Sequence, residues 1–271
     1  MFVIKKNGEI EPLQEEKIKT VVARIGGSLE LANKIVEKVK TSLPDRVPVE
    51  LIYKTLFDEV HRENPVLGCK LNLKKAISEL GPTGFPFEQY FAKVLEHSGY
   101  SAVLPMLFEG KCVQHEMDVY ATKGGDEYLV ECKFHQYWQK KSDIKTALYV
   151  YAKVLDINEK NKKQFKPWIA TNTKFSMDAV DYSHCQGIKI TAWKHPLGES
   201  LENLIEKSNC YPITILPSGT REIFQRLIAE HVVLVEDFLK LSKEEIQKIS
   251  GVSAEKCEYL LQEANLLRPT R

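Results

Sequence analysis

Four consecutive residues, Gly81-Pro82-Thr83-Gly84, constrain this chain more than any other stretch, because two incompatible hydrophobic periodicities meet there. Two glycines and a proline within four positions interrupt helices and strands alike. Before the break, apolar residues recur at helical spacing: Ile18, Val21, Val22 and Ile25, then Leu31, Ile35 and Val39. That spacing predicts helices over 15–25, 29–43, 49–61 and 70–80, with stops at Gly26-Gly27 and before Pro44. A hairpin precedes them: Phe2-Val3-Ile4, a turn at Asn7-Gly8, then Ile10 to Leu13.

After the break the period changes. A helix over 86–97 is followed by strand-like runs near 101–107, 113–121 and 127–134. Next come a helix over 144–156, a strand at 167–171, a helix over 176–184, a strand at 188–193 and a helix over 201–207. The order αβββαβαβα belongs to a mixed sheet flanked by helices. Beyond 218 the pattern is helical again, with a glycine turn at Gly251 between Leu241–Ile246 and Ala254–Leu261. The expected fold class is therefore a multidomain α/β chain. Residues 1–80 form a mostly helical domain with a short hairpin, 85–217 a mixed-sheet α/β/α core, and 218–271 a small all-α domain.

Composition narrows function mainly by exclusion. A formal net charge of +1 over 271 residues leaves no basic glove for nucleic acid, so any such contact must use local patches, backbone donors or a metal. No apolar run approaches the ~20 residues that a membrane span needs, and the N-terminus lacks the order of a secretory signal. The six cysteines are widely spaced, without a CxxC pair, and read as reduced thiols of a cytoplasmic protein.

Chemistry concentrates in the middle segment. Glu131-Cys132-Lys133 ends the apolar run Tyr128-Leu129-Val130; alternate strand residues share a face, so Glu131 and Lys133 point the same way. The preceding run, 112–120, is expected to bring Asp118 beside them. Two carboxylates and an ammonium at one place suit a divalent cation, a phosphodiester and an attacking water. Asp118 and Glu131 would hold the cation, with the Cys132 carbonyl as a further ligand, and Lys133 would orient water and offset charge on the phosphate. Glu88, just after Pro86, is a fourth candidate, although an acid in a first helical turn is also favoured by the helix dipole. His115 and His135 read as supporting residues.

These residues carry a resemblance. Phe87-Glu88, Gly99-Tyr100, Glu116-Met117-Asp118-Val119, Leu129-Val130-Glu131-Cys132-Lys133 and Ile169-Ala170-Thr171-Asn172-Thr173-Lys174-Phe175 together resemble the Mrr-type branch of the PD-(D/E)xK restriction-endonuclease superfamily, over about 85–210. The resemblance implies a mixed sheet between helices and Mg²⁺- or Mn²⁺-dependent DNA cleavage. It assigns metal binding to Asp118 and Glu131, catalytic support to Lys133 and an accessory acid to Glu88. Many such proteins carry Gln where this chain has Glu131. It also implies a homo-oligomer, dimer or tetramer, because a double-strand cut usually needs two active sites, and a role in defence against foreign DNA. The other readings are a nucleotide-responsive DNA-binding regulator with an inactive core, and an RNA- or structure-specific repair nuclease.

Val3-Ile4-Lys5-Lys6-Asn7-Gly8-Glu9, followed by Lys17-Ile18, resembles the start of an ATP-cone, a module that binds ATP or dATP as an allosteric ligand. The implied nucleotide-binding residues are Val3, Lys5, Lys6, Glu11, Lys17 and Ile18. Lysines beside a tight turn can gather on a triphosphate; Lys6 stands where that family usually has Arg. Finally, Ile249-Ser250-Gly251-Val252-Ser253-Ala254-Glu255-Lys256 resembles a helix-hairpin-helix, in which a glycine turn offers N–H groups to a DNA phosphate. It implicates Gly251, Ser253 and Lys256; Ser253 replaces a frequent second glycine, and packing or assembly is the competing role.

Overall fold

The computed structural model describes residues 1–5 and 7–268, which form two compact units, one of residues 1–74 and one beginning at Lys75. In the first, β1 (Phe2–Ile4) and β2 (Ile10–Pro12) make the expected hairpin. Gly8 closes its turn at φ +83°, a backbone region that costs glycine nothing. The helices are α1 (Glu15–Arg24), α2 (Leu29–Ser42) and α3 (Val49–Glu63). A strand that the helical spacing did not signal, β3 (Val47–Pro48), adds parallel to β1 through Val3↔Val47. The sheet order is β2-β1-β3. Ile18, Val22, Ile35, Val39, Leu56 and Val60 fill the core against Val3 and Val47, which is the burial the helical spacing encoded. The next helix, α4 (Pro65–Ser78), begins at a proline, whose missing N–H is no loss at a helix start, and the division between the units falls within it.

In the second unit, α5 (Phe85–His97) precedes β4 (Ser101–Val103), β5 (Met106–Glu109), β6 (Gln114–Met117), β7 (Val119–Lys123) and β8 (Asp126–Lys133). A two-residue strand, β9 (Lys141–Ser142), leads into α6 (Ile144–Asn161), capped by the Asp143 carboxylate. Then follow β10 (Lys166–Thr171), β11 (Lys174–Phe175), α7 (Met177–Cys185), β12 (Lys189–Thr191) and α8 (Leu201–Ser208). The main sheet is mixed, in the order β12-β10-β8-β7-β4. β8, β10 and β12 are parallel; β7 and β4 are antiparallel to their neighbours.

Two expectations need correction, and one is the run 101–107, which divides into β4 in the main sheet and β5 in a separate hairpin. The run 112–120 is not one strand: it breaks at Asp118. β6 pairs with β5 in a separate hairpin, while β7 joins the main sheet. The break follows from Asp118 itself, whose carboxylate accepts the Cys132 N–H at 2.7 Å and so bonds across to β8 with its side chain.

The C-terminal helices are α9 (Arg221–Ala229), α10 (Val235–Phe238), α11 (Lys243–Ser250) and α12 (Ala254–Leu266). They pack within the second unit rather than as a compact body of their own. The side-chain amide of Gln89 on α5 meets the His231 ring at 2.6 Å. Tyr90 donates to the Cys210 carbonyl, and Ile213 N to the Val233 carbonyl at 2.9 Å. Buried Ile213, Ile215 and Leu216 lead directly into these helices, so apolar packing continues through position 218. The breaker at 81–84 likewise belongs to this unit. A Cβ on Gly81 would lie 2.6 Å from the Phe134 ring, so a glycine is needed there for close packing.

Candidate acidic site at the end of strand β8

The side chains of Asp118, Glu131, Lys133 and Glu88 are brought together. β8 is buried from Leu129 to Cys132, Glu131 included, and only Lys133 emerges in part at the sheet end. Lys133 Nζ lies 2.6 Å from Glu131 Oε1, as expected for residues two apart in a strand. Asp118 is set beside them by its bond to the Cys132 amide. Glu88 projects from the first turn of α5; the residue before that helix, Gly84, leaves room for its carboxylate, a Cβ there lying 3.1 Å from Oε1.

The electrostatics show how tightly the acids are gathered. Burial, then the neighbouring Glu131 carboxylate, pushes Asp118 from 3.8 up to about 6, against the Cys132 N–H that favours its anion. Burial and then Asp118 and Glu131 push Glu88 from 4.5 up to about 7. The Lys133 ammonium is held above its ordinary value: burial works against the charge, but its bond to Glu131 outweighs it.

Lys153, on α6, is the side chain of the candidate site that the strand-based reading missed. Its ammonium lies 2.7 Å from Glu131 Oε2, and with exposures of 5% for Glu131 and 7% for Lys153 the pair is desolvated. A signal was present. Lys153 falls on the α6 face that carries Ala147, Val150, Val154 and Ile157, and a lysine on a core-facing stripe demands a partner.

The two histidines support the frame. His115 Nε2 lies 2.8 Å from Asp156 Oδ2; Asp156 also accepts the Cys112 and Val113 N–H groups and is held at about 2. The backbone of His135 exchanges two 2.8 Å bonds with the Asn172 side chain. Thr171 Oγ1 donates to the Lys133 carbonyl at 2.7 Å. The segment Thr171-Asn172 thus clamps the strand end that carries the acids.

A divalent cation is implied by the resemblance, and the donor set fits one. Mg²⁺ keeps several waters and takes one or two carboxylates; Asp118 and Glu131, with the Cys132 carbonyl, meet that need, and their mutual repulsion is what a cation would relieve. Among the described residues no group of three or more His, Cys, Asp or Glu side chains is placed to hold a metal ion, so water and the Cys132 carbonyl would have to complete the ligand set.

In the first unit, Lys5 and Lys17 converge on Glu11, at 2.7 and 3.5 Å. Lys5 is raised and Glu11 lowered by that contact. Val3 and Ile18, each 5% exposed, are core residues whose side chains offer no surface to a ligand. Lys6 lies outside the described residues.

At the C-terminus, α11, a turn and α12 follow one another as expected, but two of the amides proposed for phosphate are occupied. Gly251, at φ +72°, donates its N–H to the Gln247 carbonyl at 2.8 Å, closing α11. The Lys256 N–H goes to Ser253 Oγ at 3.2 Å, so Ser253 is an N-cap. Arg226 Nη1 donates to the Ser250 carbonyl at 3.0 Å and places a guanidinium against the turn.

Comparison with known proteins fits these parts unevenly. Residues 1–66 match the ATP-cone domain family, and 211–268 match the family described as AF1548-like, C-terminal. An uncharacterized protein of Archaeoglobus fulgidus is 38% identical over 173 residues, which cover 64% of this chain and 97% of that protein. The crystal structure of a protein of unknown function, AF1548, is 36% identical, with a TM-score of 0.58 over 68% of this chain and 97% of that one. The chain belongs to the AF1548-like family. Its N-terminal module is an ATP-cone, as the Val3–Ile18 pattern led one to expect. The AF1548-like C-terminal match begins at 211, ahead of the segment boundary expected at 218, in keeping with packing that runs through that point. Among the described residues no helix is long and apolar enough to cross a membrane.

Proposed function

We propose that this AF1548-like chain is a divalent-metal-dependent DNA endonuclease of the Mrr type, regulated by ATP or dATP at its N-terminal module. The carrying observation is the gathering of Glu88, Asp118 and Glu131 around Lys133, with Asp118 pushed up to about 6 and Glu88 up to about 7. Carboxylates held above their ordinary range at one strand end are a common mark of a functional site. The chemical division of labour is assigned to 85–217, phosphate contact to 218–271 and nucleotide sensing to 1–80.

Asp118, Glu131 and the Cys132 carbonyl would hold the cation. When bound, it would neutralise the scissile phosphate and acidify water. Lys133, anchored on Glu131, holds a positive charge where the phosphate gains negative charge. Glu88 carries a proton near neutral pH and can exchange it with water or the leaving oxygen. Lys153 fixes the orientation of Glu131 from below. Lys5 and Lys17 would turn from Glu11 to a triphosphate.

The test is purified full-length chain with plasmid, single-stranded DNA and RNA, with Mg²⁺ or Mn²⁺, with and without ATP or dATP. Cleavage of DNA by the wild type, lost in Asp118→Asn and in Glu131→Gln, is the expected result. No cleavage of any substrate under these conditions would remove the enzyme reading. One observation favours a second reading, a nucleotide-responsive DNA-binding regulator. Both oxygens of Glu131 are engaged by ammonium groups, which compete with a cation. Nucleotide-dependent DNA binding without cleavage would select that reading.

A further inference from the structure

Helix α6 has two working sides, and only one of them faces the sheet. On the other, Leu148, Tyr149 and Leu155 are 45%, 56% and 50% exposed, and Lys145, Ala152 and Glu159 are exposed on the same stripe. Their spacing is that of a helix-packing seam: 145, 148, 149, 152, 155, 156 and 159 lie within about 60° of one line along a helix of 3.6 residues per turn, and the acid among them that would face Leu148 of a second copy, Asp156, is engaged by His115 and the Cys112 and Val113 amides. Val113, at the turn between β5 and β6 and also exposed, extends this apolar surface beside Asp156, to which its amide is bonded. Isolated surface leucines need no explanation, but a contiguous stripe does.

We infer that this stripe is the contact surface for a second copy of the chain, the two α6 helices packing antiparallel about a two-fold axis at Ala152. The charge pattern specifies the partner. Ala152 is midway in sequence between Lys145 and Glu159, so a two-fold at Ala152 sets each Lys145 opposite the other copy's Glu159, whose carboxylate is paired with Lys111 of its own chain and would be shared between the two ammonium groups. Parallel packing would instead oppose like charges. The same axis sets Tyr149 against Leu155 of the second copy. The residue on the axis is the smallest of the stripe, and a small side chain lets two helices approach to the 8–10 Å at which their ridges interlock.

The two-fold has a consequence for the acidic site. Lys153 follows Ala152 and so lies about 100° round the helix from the seam. Rotation about an axis normal to the helix pair leaves that side unchanged, so both Glu131–Lys153 pairs open on the same side of the dimer. Two such sites on one side could address one duplex. The dimer itself does not rest on the nuclease reading, because its mass is measured without substrate, so either idea can fail alone.

The experiment uses the full-length chain in sedimentation equilibrium. The expected mass is twice the 31.0 kDa of one chain. A monomer at all concentrations up to about 100 μM would overturn the proposal. The variant Leu148→Glu/Leu155→Glu alters exposed side chains only and should sediment as a monomer with an unchanged circular dichroism spectrum. A dimer as tight as wild type would place the interface elsewhere and overturn the proposal. A second line avoids any dependence on that variant's folding. In a background with the exposed Cys112 and Cys185 changed to Ser, Ala152→Cys should form a disulfide-linked dimer under mild oxidation, since residues on a two-fold meet their own copies. Failure to crosslink would exclude an axis at Ala152. A mixture of Lys145→Cys and Glu159→Cys chains should crosslink to each other, and self-linking of Lys145→Cys would mean parallel packing.

Discussion

Asp118→Asn should make the second unit more stable at neutral pH while destroying the proposed site, and the size and pH window of that effect follow from the structure. The exchange is nearly isosteric, and an Asn oxygen can still accept the Cys132 N–H, so no backbone donor is orphaned. What changes is charge. In the folded chain the Asp118 proton is held up to about 6 against an ordinary 3.8. The full difference corresponds to about 3 kcal/mol of penalty on the anion. The group is half-buried, and water screens part of that, leaving about 1–2 kcal/mol. The sign is the reverse of the usual acid case. A carboxyl raised on folding binds its proton more tightly in the native state, so stability is lost as pH rises from about 4 through about 6. Glu88, raised to about 7, extends the decline to neutrality, and Asp118→Asn should lower it as well, because Asp118 is among the charges that raise it. Urea unfolding in EDTA, followed by tryptophan fluorescence, reads this unit alone, since Trp138, Trp168 and Trp193 all lie in it. The midpoint advantage of Asp118→Asn should grow from pH 4.5 to 7.5. Equal or lower stability at pH 7.5 would refute the claim that the carboxylates are under electrostatic strain, and with it the physical case for a cation.

The other predictions concern separate parts of the chain. Lys153→Met should cost about 2–4 kcal/mol in urea unfolding, because it leaves one oxygen of a buried carboxylate unpaired, and adding Glu131→Gln should recover part of the loss; a neutral Lys153→Met would mean that water already reaches Glu131. Lys5→Ala/Lys17→Ala should lower ATP affinity by tenfold or more in calorimetry, whereas unchanged binding would move the nucleotide away from the hairpin. Truncation after residue 217 should lower the cooperativity and midpoint of unfolding, because it uncovers Ile213, Ile215 and Leu216; a truncated chain with unaltered unfolding would make the C-terminal helices an independent body. In a salt titration of DNA binding, Lys256→Ala should reduce the slope of log affinity by about 1 if its ammonium meets a phosphate, and an unchanged slope would leave the α11–α12 turn to packing.

Side-chain alternation along β8 made Glu131 and Lys133 legible, because a strand encodes its faces in the identity of alternate residues. Helical spacing made the first unit legible for the same reason, down to Ile18, Val22, Ile35 and Val39. The reading failed where position depends on a bond made across the fold. Nothing local marks Asp118 as a strand break; the break is made by its bond to Cys132, fourteen residues on. β3 is two residues long and exists only because β1 offers an open edge at Val3 and Ile4. The pattern Ile249–Lys256 suits a helix cap as well as a phosphate loop, because a glycine at φ +72° serves both, and the Gly251 N–H bond to Gln247 is a contact that the sequence does not display.

The same contrast explains why Glu131 carries two lysines. A buried carboxylate with no partner costs far more than one that is paired. Lys153 meets that need from the inner side, where it is 7% exposed and fixed by α6. Lys133 meets it from the outer side, with a side chain that is 34% exposed and bonded to Glu131 at 2.6 Å. In the proposed site Asp118 and Glu131 would hold the cation, with Lys153 as the inner partner of Glu131 and Lys133 as its outer one. Asp118 and Glu88 are raised first by burial and then by the neighbouring carboxylates, and Lys133 offsets this only in part; among the described residues neither has a lysine in hydrogen-bond contact.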